Sequence, residues 1–141
     1  MKAFILVFVP AILFAEISIT EPSNALISSI AKIESNHNPL AYNRKEGARG
    51  IFQIRKCCLQ DVNRIYKTSF VTNDCWSVAK SLSIMRKYLR YYGEHYYKIT
   101  GKLPTDEIYA RIWNGGPNGW RKESTEEYWR KIYKALNLLK N

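Results

Sequence analysis

Glu34 stands in a row of apolar residues. Ile27, Ile30, Ala31 and Glu34 lie at helical offsets, so on a helix they share one stripe and the carboxyl projects from the apolar face. Desolvation disfavours the charged form of a carboxyl and raises its pKa. A carboxyl that keeps its proton near neutral pH can hand it to a leaving group, the step that glycoside cleavage requires. The competing reading puts Glu34 in the last turn of an amphipathic helix, with its carboxylate in solvent. A polar loop follows, punctuated by Gly47 and Gly50, where the backbone can take positive φ and approach a ligand closely.

Glycosidases normally use a second carboxylate. Glu46, just before Gly47, could overhang a cleft and position a water; otherwise it offsets its basic neighbours Arg44 and Lys45. Asp61 is expected on the polar side of a helix in a structural role, and His37 is a lone loop histidine. Trp113 precedes Gly115-Gly116, and its face suits stacking on a sugar ring, although core packing claims most tryptophans. The three cysteines, Cys57, Cys58 and Cys75, have no histidine at ligand spacing, so no metal site is expected. In an oxidising compartment, one bridge from Cys75 to Cys57 or Cys58 is expected, with one thiol left over.

These residues must be positioned by helices joined through Gly-, Pro- and Asn-containing loops, because strand signals are nearly absent. A first helix is predicted from about Pro22 or Ser23 to Asn36, capped by Thr20 or Ser23 and stopped by Pro39. Its apolar positions are Leu26, Ile27, Ile30, Ala31 and Ile33. The segment Ile51-Phe52-Gln53-Ile54 leads into a second helix, with Ile54, Cys58, Val62 and Ile65 on one face. The third carries the strongest pattern: Val78, Leu82, Met85, Leu89, Tyr92 and Tyr96 alternate steps of four and three, which marks a buried face. Asn73 or Asp74 can cap it, and Gly101 closes it. A fourth helix is predicted from Thr105 to about Trp113. The last starts at Ser124 or Thr125 and carries Tyr128, Trp129, Ile132, Tyr133, Leu136 and Leu139. The expected fold is mainly α, packed around the third helix.

Residues 1–15 differ from the rest. Lys2 precedes an apolar run to Ala15 that Pro10 interrupts and that falls short of the roughly 20 residues a bilayer-spanning helix needs. A signal peptide over 1–15 is expected, with 16–141 as one domain; an uncleaved anchor is the alternative. No second apolar run appears, so no stable membrane insertion is expected after its removal. The 141-residue chain has a net charge of +10, nearly all of it beyond Ala15, because Lys2 is the only charged residue before Glu16. Such a field accumulates polyanions. For an exported protein, the phosphate- and carboxylate-bearing polymers of a cell envelope are favoured over nucleic acid. The basic residues are scattered, in pairs such as Arg55-Lys56 and Arg121-Lys122. They read as a solvated surface without a nucleic-acid-recognition motif.

Three blocks in order sharpen this reading. Glu34-Ser35-x-x-Asn38-Pro39 followed by Gly47-Ala48-Arg49-Gly50-Ile51-Phe52-Gln53 resembles the lysozyme-like soluble lytic transglycosylases. Their pattern is Glu-Ser, Asn-Pro, then Gly-Ala-x-Gly-(Leu/Ile)-(Met/Phe)-Gln. Ala110-Arg111-Ile112-Trp113-Asn114-Gly115-Gly116 is similar to the family's Ala-Tyr-Asn-Ala-Gly stretch, with Trp113 for Tyr and Gly115 for Ala. Thr125-x-x-Tyr128-Trp129 is similar to its late Thr-x-x-Tyr block. The resemblance runs from about Ala25 to Tyr133.

The resemblance implies a lysozyme-like helical domain with Glu34 as the catalytic acid and then base. It implies that Ser35 supports Glu34 at the helix end and that Gln53 faces the sugar's N-acetyl group. Asn114 would hydrogen-bond substrate, and Tyr128 would approach Glu34 and help position it; Trp113 and Glu46 complete the expected substrate side. The implied substrate is peptidoglycan, cut at the β-1,4 bond between N-acetylmuramic acid and N-acetylglucosamine, with no cofactor. The favoured reading is a lytic transglycosylase, in which Glu34 then takes a proton from the 6-hydroxyl and closes a 1,6-anhydro ring. With Glu46 positioning a water, the chain would be a hydrolytic muramidase. A monomer is expected, exported to a periplasmic or extracellular site, from a bacterium or a virus that infects one. The alternatives are a non-enzymatic cationic wall-binding protein on this fold and, on charge alone, a nucleic-acid binder.

Overall fold

A computed structural model describes residue 19 and residues 21–139. The expected signal peptide, its cleavage at Ala15 and a cap at Thr20 lie outside the described residues.

Among the described residues, five helices carry the fold: α1 (Asn24–Ser35), α2 (Lys56–Tyr66), α3 (Val78–Thr100), α4 (Asp106–Gly115) and α5 (Glu126–Leu138). Between α1 and α2 a two-residue antiparallel ladder forms, β1 (Tyr42–Asn43) against β2 (Ala48–Arg49), with Tyr42 opposite Arg49. Single-turn 3₁₀ segments occupy Thr72–Trp76, Gly119–Arg121 and Glu123–Thr125. The mainly α reading holds.

Local chemistry explains most boundaries. The Ser23 hydroxyl accepts from the Leu26 N–H at 3.0 Å and starts α1. The helix ends at Asn36, in the left-handed region at φ 53°, where the His37 N–H donates to the Ala31 carbonyl at 3.1 Å. That stop comes before Pro39. Thr105 caps α4, and Gly101 at φ 69° closes α3. Ser77, rather than Asn73 or Asp74, caps α3, because those two residues belong to the preceding 3₁₀ turn.

Helix α3 is the spine, burying Ile84, Met85, Tyr88, Leu89, Tyr92 and Tyr96. Each such side chain stabilises the fold by about 1.5–3 kcal/mol. At Gly93 a Cβ would come within 2.7 Å of the Tyr109 ring, so the missing side chain is what lets α4 lie against α3. Helices α1, α4 and α5 pack together on one side and α2 on another.

Several expected core positions face water. Ile33, Val78, Tyr133 and Leu139 are exposed. They follow the helical period but sit at the margins of stripes whose centres meet a neighbouring helix. Ile54 is buried, yet it precedes α2 and pairs with Arg49 across an isolated bridge. The expected disulfide is not formed. Cys75 is buried, while Cys57 is exposed and Cys58 half-buried on the first turn of α2, and all three are free thiols.

Candidate active site

The end of α1 delivers Glu34 to the floor of a cavity of about 530 Å³. Its walls come from the 46–58 segment on one side and from the 113–125 segment on the other, with Tyr88 of α3 at the back. The cavity exists because α1 stops at Asn36 and the chain then turns back through the short β ladder.

Glu34 is mostly shielded from water. The Tyr128 hydroxyl on α5 donates to its Oε1 at 2.7 Å. Burial raises the carboxyl's pKa, opposed by the Tyr128 hydrogen bond and the positive charge of Arg55 and aided by the negative charge of Glu46; the net result is pushed up to about 7 from 4.5. Burial and the adjoining carboxyl raise the Tyr128 phenol well above its ordinary range, so it stays a donor.

The glycine-rich wall is held by backbone geometry. Gly50 sits at φ 76°, and a Cβ there would lie 1.9 Å from the Cys75 carbonyl oxygen, so only glycine fits. Gln53 takes φ 52°, a left-handed conformation uncommon outside glycine and found preferentially at functional sites. Its Nε2 donates to the carbonyls of Ala41 at 3.1 Å and Gly50 at 3.0 Å. Its Oε1 has no protein partner among the described residues and is free to accept from a ligand. Ser35 Oγ donates to the Ile51 carbonyl at 2.8 Å, tying the end of α1 to this wall.

The opposite wall is organised by Thr125, which is 1 % exposed. Its hydroxyl contacts the Gly119 and Lys122 carbonyls at 2.8 Å and accepts from Arg111 Nε at 2.9 Å. Trp113 and Asn114 at the end of α4 line the cavity, with the Trp113 ring edge-on to Tyr88 at 5.8 Å. Lys122 Nζ donates to the Gly115 carbonyl at 2.7 Å.

Of the residues singled out in the sequence, Glu34, Glu46, Gln53, Trp113 and Asn114 meet in this one cavity. Ser35 and Tyr128 stand behind Glu34 and do not line it. His37 lies outside it, and Asp61 accepts from Tyr92 at 2.6 Å and Arg64 at 3.0 Å. Sequence reasoning missed Arg55 and Lys122, and it gave Thr125 no role beyond a helix start and the late Thr-x-x-Tyr block. Arg55 was assigned to the solvated basic surface, yet its guanidinium lines the cavity and binds Glu46 Oε2 at 2.8 Å. Its position directly after the Gln53-Ile54 wall is the signal that could have found it.

A second groove, of about 400 Å³, is lined by Glu21, Arg86, Lys87 and Arg90 and contains none of these residues. There Glu21 already pairs with Arg86 at 3.0 Å. Among the described residues, no group of three or more His, Cys, Asp and Glu side chains is placed to hold a metal, and no helix is long and apolar enough to cross a membrane.

The arrangement is a proton-holding carboxyl under a polar groove with an aromatic wall. In sequence and in fold the chain is similar to lysozymes. A lysozyme of Magallana gigas is 32 % identical over 113 residues, covering 79 % of this chain and 78 % of that one. The solved structure of Tapes japonica lysozyme superposes with a TM-score of 0.67 at 26 % identity, covering 79 % of this chain and 89 % of that one. Meretrix lusoria lysozyme, solved in complex with Aeromonas hydrophila PliI, gives a TM-score of 0.67 at 29 % identity, covering 79 % and 88 %. A sequence model of the transglycosylase SLT domain matches residues 13–136. With that match across nearly its whole length, the chain belongs to the transglycosylase SLT domain family, the lysozyme-like enzymes that cleave peptidoglycan.

Proposed function

We propose that the chain is a hydrolytic muramidase, exported to a periplasmic or extracellular site, that cuts the β-1,4 bond between N-acetylmuramic acid and N-acetylglucosamine. The observation that carries this reading is the presence of Glu46 in the same cavity as Glu34. Glu34 keeps its proton to about pH 7 and donates it to the bridging oxygen. Glu46 has one oxygen anchored on Arg55 and the other without a partner among the described residues, open to a water or to the developing cation. The free Gln53 carbonyl suits an N-acetyl N–H, the Asn114 amide, without a partner among the described residues, suits sugar hydroxyls, and the Trp113 ring offers an apolar face. The names of the relatives, lysozymes, point the same way.

The family's transglycosylase chemistry supports a second reading, in which Glu34 alone completes the reaction by taking the proton of the 6-hydroxyl. Mass spectrometry of digested peptidoglycan separates the two. Reducing ends are expected; 1,6-anhydro ends would overturn the hydrolytic reading. The net charge of +10 supports retention of the enzyme on anionic envelope polymers.

A further inference from the structure

We propose that Arg55 is the positioning residue of this site, holding the Glu46 carboxylate in place over the cavity while its charge acts on Glu34. The inference rests on the hydrolytic reading above and deepens it.

Glu46 sits in the tight turn between β1 and β2. The Asn43 side-chain oxygen shapes that turn by accepting from the Lys45 and Glu46 N–H groups at 3.1 and 3.4 Å. The turn fixes the Glu46 backbone but not its side chain, which is 43 % exposed and makes no hydrogen bond to its own hairpin. An exposed glutamate loses rotamer freedom only if something holds it. What holds it is the Arg55 guanidinium, from the residue that precedes α2, at 2.8 Å. The contact takes Oε2 alone and leaves Oε1 for chemistry. Arg55 thereby joins the hairpin to α2 across the mouth of the cavity.

An exposed ion pair of this kind adds little to stability. Its retention of one carboxylate oxygen inside a catalytic cavity is better matched to orientation, where a displacement of about 1 Å can cost 100-fold in rate. The groups that face Glu34 are Tyr128 from α5, Arg55 and Glu46 from the hairpin–α2 side, and, around the same cavity, Lys122, Tyr88, Cys57 and Cys58. Arg44 and Lys45 flank Glu46 in the chain. Of the cations among these, Arg55 is the one whose charge favours the ionised form of Glu34.

The test compares wild type, Arg55→Gln and Arg55→Lys on purified peptidoglycan, measuring kcat and KM separately from pH 4 to 9. Arg55→Gln is expected to lower kcat by about 10- to 100-fold with little change in KM. It should also move the alkaline limb of the profile to higher pH, because removing the positive charge leaves Glu34 protonated for longer. Arg55→Lys should restore the limb and part of kcat, since an ammonium supplies the charge but not the planar fork. An Arg55→Gln enzyme with wild-type kcat, or a loss shared equally by both variants with the limb unmoved, would overturn the proposal. Anhydro ends from the wild type would instead refute the hydrolytic reading. Reducing ends with an unaltered Arg55→Gln enzyme would refute only the positioning role.

Discussion

Replacing Glu34 by Gln should abolish cleavage and at the same time stabilise the folded protein, and the gain should depend on pH in a defined way. In the unfolded chain Glu34 ionises near 4.5; in the folded chain it holds its proton to about 7. Below pH 4.5 both states are protonated, and this group costs nothing. Between 4.5 and 7 the unfolded state loses its proton first, so wild-type stability falls as pH rises, and above 7 the full cost is present. At about 1.4 kcal/mol per unit, the shift corresponds to a ceiling of about 3 kcal/mol. Glutamine has nearly the same shape and cannot ionise, and its carbonyl can still accept from the Tyr128 hydroxyl. The variant should therefore match wild type at pH 4 within about 0.5 kcal/mol. At pH 8 it should be more stable by up to about 3 kcal/mol, a rise in Tm on the order of 10 °C for a domain of this size. Thermal melts of both proteins at pH 4, 6 and 8 measure it, and the other titrating groups cancel because both proteins share them. Release of soluble fragments from purified walls should drop at least about 100-fold with loss of the general acid. A Tm difference that stayed constant from pH 4 to pH 8 would refute the argument that Glu34 is held protonated by burial.

Three other outcomes are expected. Tyr128→Phe removes the hydroxyl that favours ionised Glu34, so the alkaline limb of kcat/KM should move to higher pH; a pH–rate profile reads the shift. Gly50→Ala must place a Cβ against the Cys75 carbonyl at a positive φ, and should lower unfolding free energy by about 3 kcal/mol or more in urea titrations. Rates on intact walls should fall as sodium chloride is raised from about 20 mM to 500 mM, because the charge of +10 acts over a Debye length that shrinks with salt, while rates on small neutral oligosaccharides should not.

The helices and most of their ends were legible in the sequence because they depend on neighbours within one or two turns. The four–three spacing along α3 from Met85 to Tyr96, the Ser23 cap offered beside Thr20, the start of α4 at Thr105 and the Gly101 stop are local, and the structure has each of them. The placement of Glu34 on an apolar stripe was legible for the same reason. Period alone did not settle how wide each stripe is. Ile33 and Tyr133 keep the register of their helices yet lie beyond the strip that a neighbouring helix covers.

Tertiary structure decided what surrounds that carboxyl. Tyr128 is 94 residues away in the chain and reaches Glu34 only because α5 packs on α1. Arg55 reads as one of many surface cations until the hairpin folds over α2 and brings Glu46 to it. The three cysteines are free thiols in the folded chain, an outcome that their spacing in the sequence did not settle. A helix is dictated by contacts between residues three and four apart, whereas burial, charge pairing and a shifted pKa are properties of surfaces that meet only when the whole chain has packed.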